Sequence, residues 1–239
     1  PALLMLTGDQ IYADDVAGPM LHAIHQIIEL LGFPDESFEN AVVRDGTELY
    51  SNPDTYYGRK NILPNTKVGR KWYTRGGVYP VFTSFFSHNH LITFAEYTAM
   101  YLLIWSPVLW EFVTFDETAV KEEFRSAYKD EKRRIKAFVQ AIPAVARVMS
   151  HIPVYMIFDD HDITDDWNMT AQWESAAYGH PFSKQMIANG MAAYWLCQGW
   201  GNAPDHFDPG FLEQAKAFLE QPDGLARQTF TKTLFKFEQ

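Results

Sequence analysis

Two acidic clusters stand far apart in this chain, each directly behind a short apolar run. The first is Leu6-Thr7-Gly8-Asp9-Gln10-Ile11-Tyr12-Ala13-Asp14-Asp15. The second is Phe158-Asp159-Asp160-His161-Asp162-Ile163-Thr164-Asp165-Asp166-Trp167-Asn168. Five aspartates and a histidine between Asp159 and Asp166 repel one another at neutral pH unless a cation or solvent neutralises them. Carboxylate, phenol, amide and imidazole donors suit Mg, Ca, Mn or Fe, and no thiol takes part. The two clusters therefore read as halves of one divided metal site. The plainer reading of the first half is a strand-ending aspartate beside a buried tyrosine. For the second it is a solvated acidic loop that caps the next helix. Asp162, Asp165 and Asp166 suit capping or support of the ligands as well as metal contact.

At Gly8-Asp9-Gln10-Ile11-Tyr12-Ala13-Asp14 and Asp159-Asp160-His161-Asp162 the chain resembles the PhoD-like alkaline phosphatases, a branch of the calcineurin-like metallophosphatase superfamily, with both motifs in the expected order. The resemblance implies that Asp9 and Tyr12 hold the metal centre and that Asp159, Asp160 and His161 supply further ligands. It implies that Ile163 to Asn168 shapes the rim, with Asn168 facing substrate. Two ions are expected, trivalent iron beside Tyr12 and Ca, Mn or Mg in the other position. The implied reaction is hydrolysis of a phosphate ester by metal-activated hydroxide, with Asp9, Asp160 and His161 as the catalytic set. His161 either binds metal or protonates the leaving group. Relatives carry a ligand on a strand upstream of the first motif and histidine-bearing strands after the second. Neither is evident here, so the chain is expected to be a fragment of a longer enzyme.

Positioning these residues requires strands. Ala2 to Leu6 and Pro153 to Phe158 are short, apolar and bounded by polar residues, as in strands covered on both faces. Ligands gather beyond the carboxyl ends of strands in open α/β sheets, so two adjacent strand ends would bring the clusters together. Val16 to Leu31 has helical apolar spacing, with Asp15 as the expected N-cap and Gly32 as the stop. Its positive N-terminal end would then favour phosphate near Asp9. Phe33 to Tyr79 is polar and rich in Pro, Asn, Gly and Tyr, the opening of an expected insertion over 33–115 and a candidate lid. Thr114 to Glu117 matches a capping box ahead of a long helix with Val120, Phe124, Tyr128, Ile135, Phe138, Val139 and Ile142 in one stripe, kinked or restarted at Pro143. Ser183 to Cys197, Pro209 to Leu219 and Leu225 to Phe237 read as helices. The expected class is α/β, a partial metallophosphatase-type sheet sandwich with large helical insertions, forming one domain over 1–239.

In the insertion, Arg70, Lys71 and Arg75 form a dense basic patch. Arg70 and Arg75 are candidate phosphate clamps, set against a plain solvated loop. His22 and His25 read as surface histidines of the first helix, and His88 and His90 as a pair near enough in spacing to add ligands. Trp195, Trp200 and Tyr194 read as core.

Composition limits the alternatives. A 239-residue chain with 47 % hydrophobic and 15 % aromatic residues can build a substantial core. Its net charge of −10 argues against non-specific binding to nucleic acid or anionic membranes. The apolar window from Leu91 to Phe115 is interrupted by Glu96, Ser106, Pro107 and Glu111 and falls short of a membrane span. One cysteine, Cys197, excludes an intramolecular disulfide and leaves the compartment open, as the sequence leaves the oligomeric state. The rival to the phosphatase is a non-catalytic helical module with a structural or vestigial metal site, meeting a partner through Leu91 to Phe112. A glycosidase needs only two carboxyl groups, which the surplus of aspartates speaks against.

Overall fold

A computed structural model describes residues 2–68, 76–165, 167 and 169–236. The chain is mixed α/β, 60 % helical and 7 % strand. The elements are β1 (Leu4–Leu6), α1 (Gly18–Leu31), α2 (Gly46–Ser51), β2 (Asn65–Val68), β3 (Gly77–Pro80), α3 (Phe94–Trp105), α4 (Arg125–Met149), β4 (Val154–Met156), α5 (Ala171–Gly179), α6 (Pro181–Tyr194), the short α7 (Trp200–Asn202), α8 (Pro209–Glu220) and α9 (Gly224–Leu234). A π-helical turn, Trp195–Gly199, joins α6 to α7.

The strands form two separate pairs. β1 and β4 run parallel, with Leu4 opposite Val154, Met5 opposite Tyr155 and Leu6 opposite Met156. β2 and β3 form an antiparallel hairpin. The expected two-sided cover of β1 and β4 is not found: Met5 is 65 % and Tyr155 45 % exposed. Two strands bury one face only, and Leu4, Leu6, Val154 and Met156 on the other face are themselves half-buried. The free edge of β4 is closed by Asn202, whose side-chain amide accepts from the Met156 N–H and donates to its C=O.

α3 is the central helix. It is apolar on every side, with Tyr97, Ala99 and Leu103 fully buried, and packs against α1 and α6, as such a helix must. A Thr93–Glu96 capping box starts it. The Leu91–Phe112 face expected to meet a partner is thus largely core, because a helix without a polar stripe leaves no side for water.

Of the described residues in the 33–115 segment, Val43, Leu49, Ile62, Leu63, Val81 and Phe82 join this core, whereas β3 and the Phe85–Phe86 pair stay exposed. Glu36 is buried and accepts from the Phe94 N–H at 2.7 Å, from Asn189 at 2.9 Å and from Arg227 at 2.6 Å, tying α3, α6 and α9 together. Arg59 is fully buried and meets Glu96 at 2.6 and 3.0 Å. His25 completes this cluster through Nε2 to Glu96 at 2.8 Å, while the Tyr56 hydroxyl meets its Nδ1 at 2.9 Å. His25 is therefore a core residue, against the surface reading of its spacing. Burial lowers its pKa and keeps it neutral. Burial would raise Glu96, but Arg59 and His25 outweigh it and hold the carboxyl well below the usual carboxylate range.

α1 ends at Gly32 in the left-handed region, as expected. Its start differs. Ala17, not Asp15, occupies the N-cap, Pro19 lies in the first turn, and the Gly18 N–H donates to Glu131 of α4 at 2.8 Å. A proline needs no cap at its missing N–H, and the distant carboxylate takes the capping role. The positive end of α1 is thereby answered by Glu131 rather than held open for phosphate.

α4 begins at Arg125, not after Thr114, and runs through Pro143 to Met149. Asp116 caps a separate short turn, Glu117–Ala119. Of the expected stripe, Tyr128 and Ile142 are buried within α4, whereas Phe138 faces solvent. No helix among the described residues is long and apolar enough to cross a membrane.

Candidate metal centre

Because β1 and β4 are parallel neighbours, the loops that leave them emerge at the same end. The Ile157 N–H still donates to Leu6 O at 3.0 Å, after which the chains diverge. Asp162, buried in a short turn at Asp160–Asp162, sews the loops together: one carboxylate oxygen accepts from the Ile11 N–H at 2.8 Å and the other from the Asp159 N–H at 3.0 Å. Burial pushes its carboxyl up to about 6 against these donors. The Ala13 N–H adds a bond to His161 O at 2.9 Å.

The approach is close at Gly8. Its φ of +129° is open to glycine, and a Cβ there would lie 2.5 Å from the Asp159 Cβ. Asp9 follows with φ +54°, a left-handed conformation that a non-glycine residue adopts at a cost and that gathers at functional sites.

Carboxylate oxygens of Asp9, Asp159 and Asp160 lie within 4.8 Å of one another. Asp9 Oδ2 accepts from the Tyr12 hydroxyl at 3.1 Å, and that bond raises the pKa of the phenol. Asp9 Oδ1 is buried and has no hydrogen-bond partner. No lysine or arginine among the described residues pairs with any of the three acids. An orphaned buried oxygen among three uncompensated carboxylates fits a hard cation, which takes oxygen ligands and removes the repulsion.

His161 stands beside this trio rather than in it. Its ring lies 4.8 Å from that of Tyr12, and its Nδ1 meets the Asp14 carboxylate at 3.0 and 3.1 Å. Burial opposes its charge, but Asp14 outweighs burial and raises the pKa of the imidazole. Asp14 is fully buried and also accepts from the Asp165 N–H at 3.0 Å. It holds His161 as an outer carboxylate holds a metal-site histidine. No role was expected for Asp14 from the sequence, where its one signal was membership of the first acidic cluster.

Arg70, Arg75, Asp166 and Asn168 lie outside the described residues. His90 is buried against Phe82 with Nδ1 on Leu91 O, and His88 stacks on Tyr57. Neither belongs to the carboxylate trio. His22 meets the Tyr128 hydroxyl at 2.8 Å. Trp195 is buried in the aromatic core, as expected, but the Trp200 ring that stacks on it is 38 % exposed and Tyr194 is half-buried. No protein-family model, curated protein or solved structure matches this chain.

Proposed function

We propose that the chain carries the centre of a metal-dependent phosphate-ester hydrolase. The observation that supports this best is the unpartnered, buried Asp9 Oδ1 between two strand ends, facing acids that no local cation neutralises. Asp9, Asp159 and Asp160 would hold the cation, with the Tyr12 oxygen at the edge of the set. A metal bound here supplies Lewis acidity to a phosphoryl oxygen and acidifies a water. The remaining work falls to the chain itself. Asp14 fixes Nδ1 of His161, which leaves Nε2 as the nitrogen able to hold or give a proton. Asp162 keeps the two loops in register. Arg70, Arg75 and Asn168 are the proposed contacts to the phosphate, and the PhoD-like sheet sandwich is the proposed setting.

Asp9→Asn is the direct test. It should abolish metal-dependent cleavage of bis-p-nitrophenyl phosphate and lower the metal retained after dialysis, with the far-UV spectrum unchanged. Unaltered turnover in the variant would remove the site from the reaction. A second reading, a non-catalytic module with one structural Ca, draws support from the exposure of Asp159 at the rim. One weakly held Ca, with no hydrolysis, would decide for it.

A further inference from the structure

We propose that the solvent face of α4 is a docking surface for an acidic amphipathic helix of a partner protein. This inference is independent of the metal centre. α4 carries seven of the chain's 20 lysines and arginines against two of its 30 acids, a local balance of +5 that leaves −15 on the remaining residues. The whole-chain charge of −10 hides this segregation. Lys129 and Lys132 pair with Glu117 and Arg133 pairs with Asp130, while Arg134, Lys136 and Arg147 on the outer side have no carboxylate partner among the described residues. At physiological salt, charges beyond about 8 Å are largely screened, so an approaching partner meets this local positive sign.

The helix also exposes an apolar stripe beside its basic row. Ala137, Ala141, Ala144 and Val148 follow one helical row, with Phe138 and Val145 next to it, and all six are exposed. Phe138 is 37 %, Val145 46 % and Val148 56 % open to solvent. The core-facing side of α4 lies elsewhere, at Tyr128, Ile135 and Ile142. Helix α4 is therefore apolar in its second half on both its inner and its outer side. Arg133, Lys136 and Arg147 flank the outer stripe; Arg133 meets Asp130 at 2.5 Å, and Lys136 lies over the Phe115 ring at 5.9 Å.

Charge complementarity selects the occupant. Three alanines in the stripe let a second helix approach at about 8–10 Å. They give little apolar area to a bilayer, whose anchors use large side chains. A second copy pairing α4 with α4 would set Arg134, Lys136 and Arg147 against the same cations. An acidic-flanked amphipathic helix satisfies both rows.

The test uses the full chain and fluorescein-labelled designed peptides of about three heptads: an acidic amphipathic helix, the same apolar face with a lysine flank, and a scrambled acidic sequence. Anisotropy should show binding of the first only, weakened by salt. Affinity should fall about tenfold or more in Arg133→Glu/Lys136→Glu and in Val145→Asp. These positions are exposed, and an unchanged melting temperature checks the fold, with Ala144→Glu as a second apolar-row variant. Equal binding of the scrambled peptide, no binding of the acidic helix, or binding undiminished by Val145→Asp overturns the proposal. So does sedimentation with phosphatidylserine vesicles, or self-association, that the same variants abolish, since lipid or a second copy would then be the occupant.

Discussion

Gly8 and Asp9 concentrate the backbone strain of the candidate centre into two neighbouring residues. Gly8 has no Cβ where one would meet Asp159 at 2.5 Å, and Asp9 sits at φ +54° with one oxygen unsatisfied. Such strain persists only where the surroundings over-determine it, which here means Asp162 gripping both loops. Gly8→Ala should therefore destabilise the chain by about 1–3 kcal/mol and loosen the carboxylate trio. Urea denaturation gives the first quantity and titration with Mn the second. Full metal retention in this variant would mean that the close approach of the loops is not needed for binding. Asp14 marks the limit of legibility at this scale. Its neighbour Asp15 is equally acidic, and only the position of His161 across the loop distinguishes them.

Among the elements, apolar periodicity located α1, because its buried face repeats with the helical pitch, and α8 and α9 lie where the sequence also reads as helix. Boundaries were harder where the cap comes from elsewhere. Glu131 of α4 replaces Asp15 at the start of α1, and no local pattern announces a cap 113 residues away. The genuine capping box, Thr93 with Glu96, starts α3, the helix on which the core is built. Thr93 also meets the Tyr50 hydroxyl at 2.8 Å. Thr93→Ala should cost about 1–2 kcal/mol, read from chemical denaturation, whereas Thr114→Ala should change little. Equal losses would return the box to the Thr114 position.

For the whole molecule, the buried Arg59–Glu96–His25 cluster couples stability to acidity. The unfolded His25 titrates near 6.5, while the folded residue binds its proton only at lower pH. Between those values the unfolded chain holds the extra proton, so His25 makes stability fall as pH drops below about 6.5. Glu96 has its carboxyl depressed, and its contribution is kept down to about 4.5 and lost below it. His161, whose pKa is raised, and Asp162, pushed up to about 6, act with the opposite sign. The His25 share is therefore read as a difference. Urea midpoints for His25→Gln should decline less steeply from pH 7.5 to 5 than those of the unaltered chain, and parallel slopes would dismiss the coupling.

The residue types and their order determined that two acidic loops, rich in oxygen donors, follow short apolar strands, and that much of the chain is helical. Periodicity and donor type are local properties, readable along the chain. Tertiary structure decided which carboxylates share a space, that Asp14 rather than Asp15 turns inward to His161, that His25 lies in the core, and that among the described residues β1 and β4 pair with each other and leave Met5 and Tyr155 exposed. These depend on pairing between distant segments, where a buried charge is tolerated only if a specific remote partner reaches it.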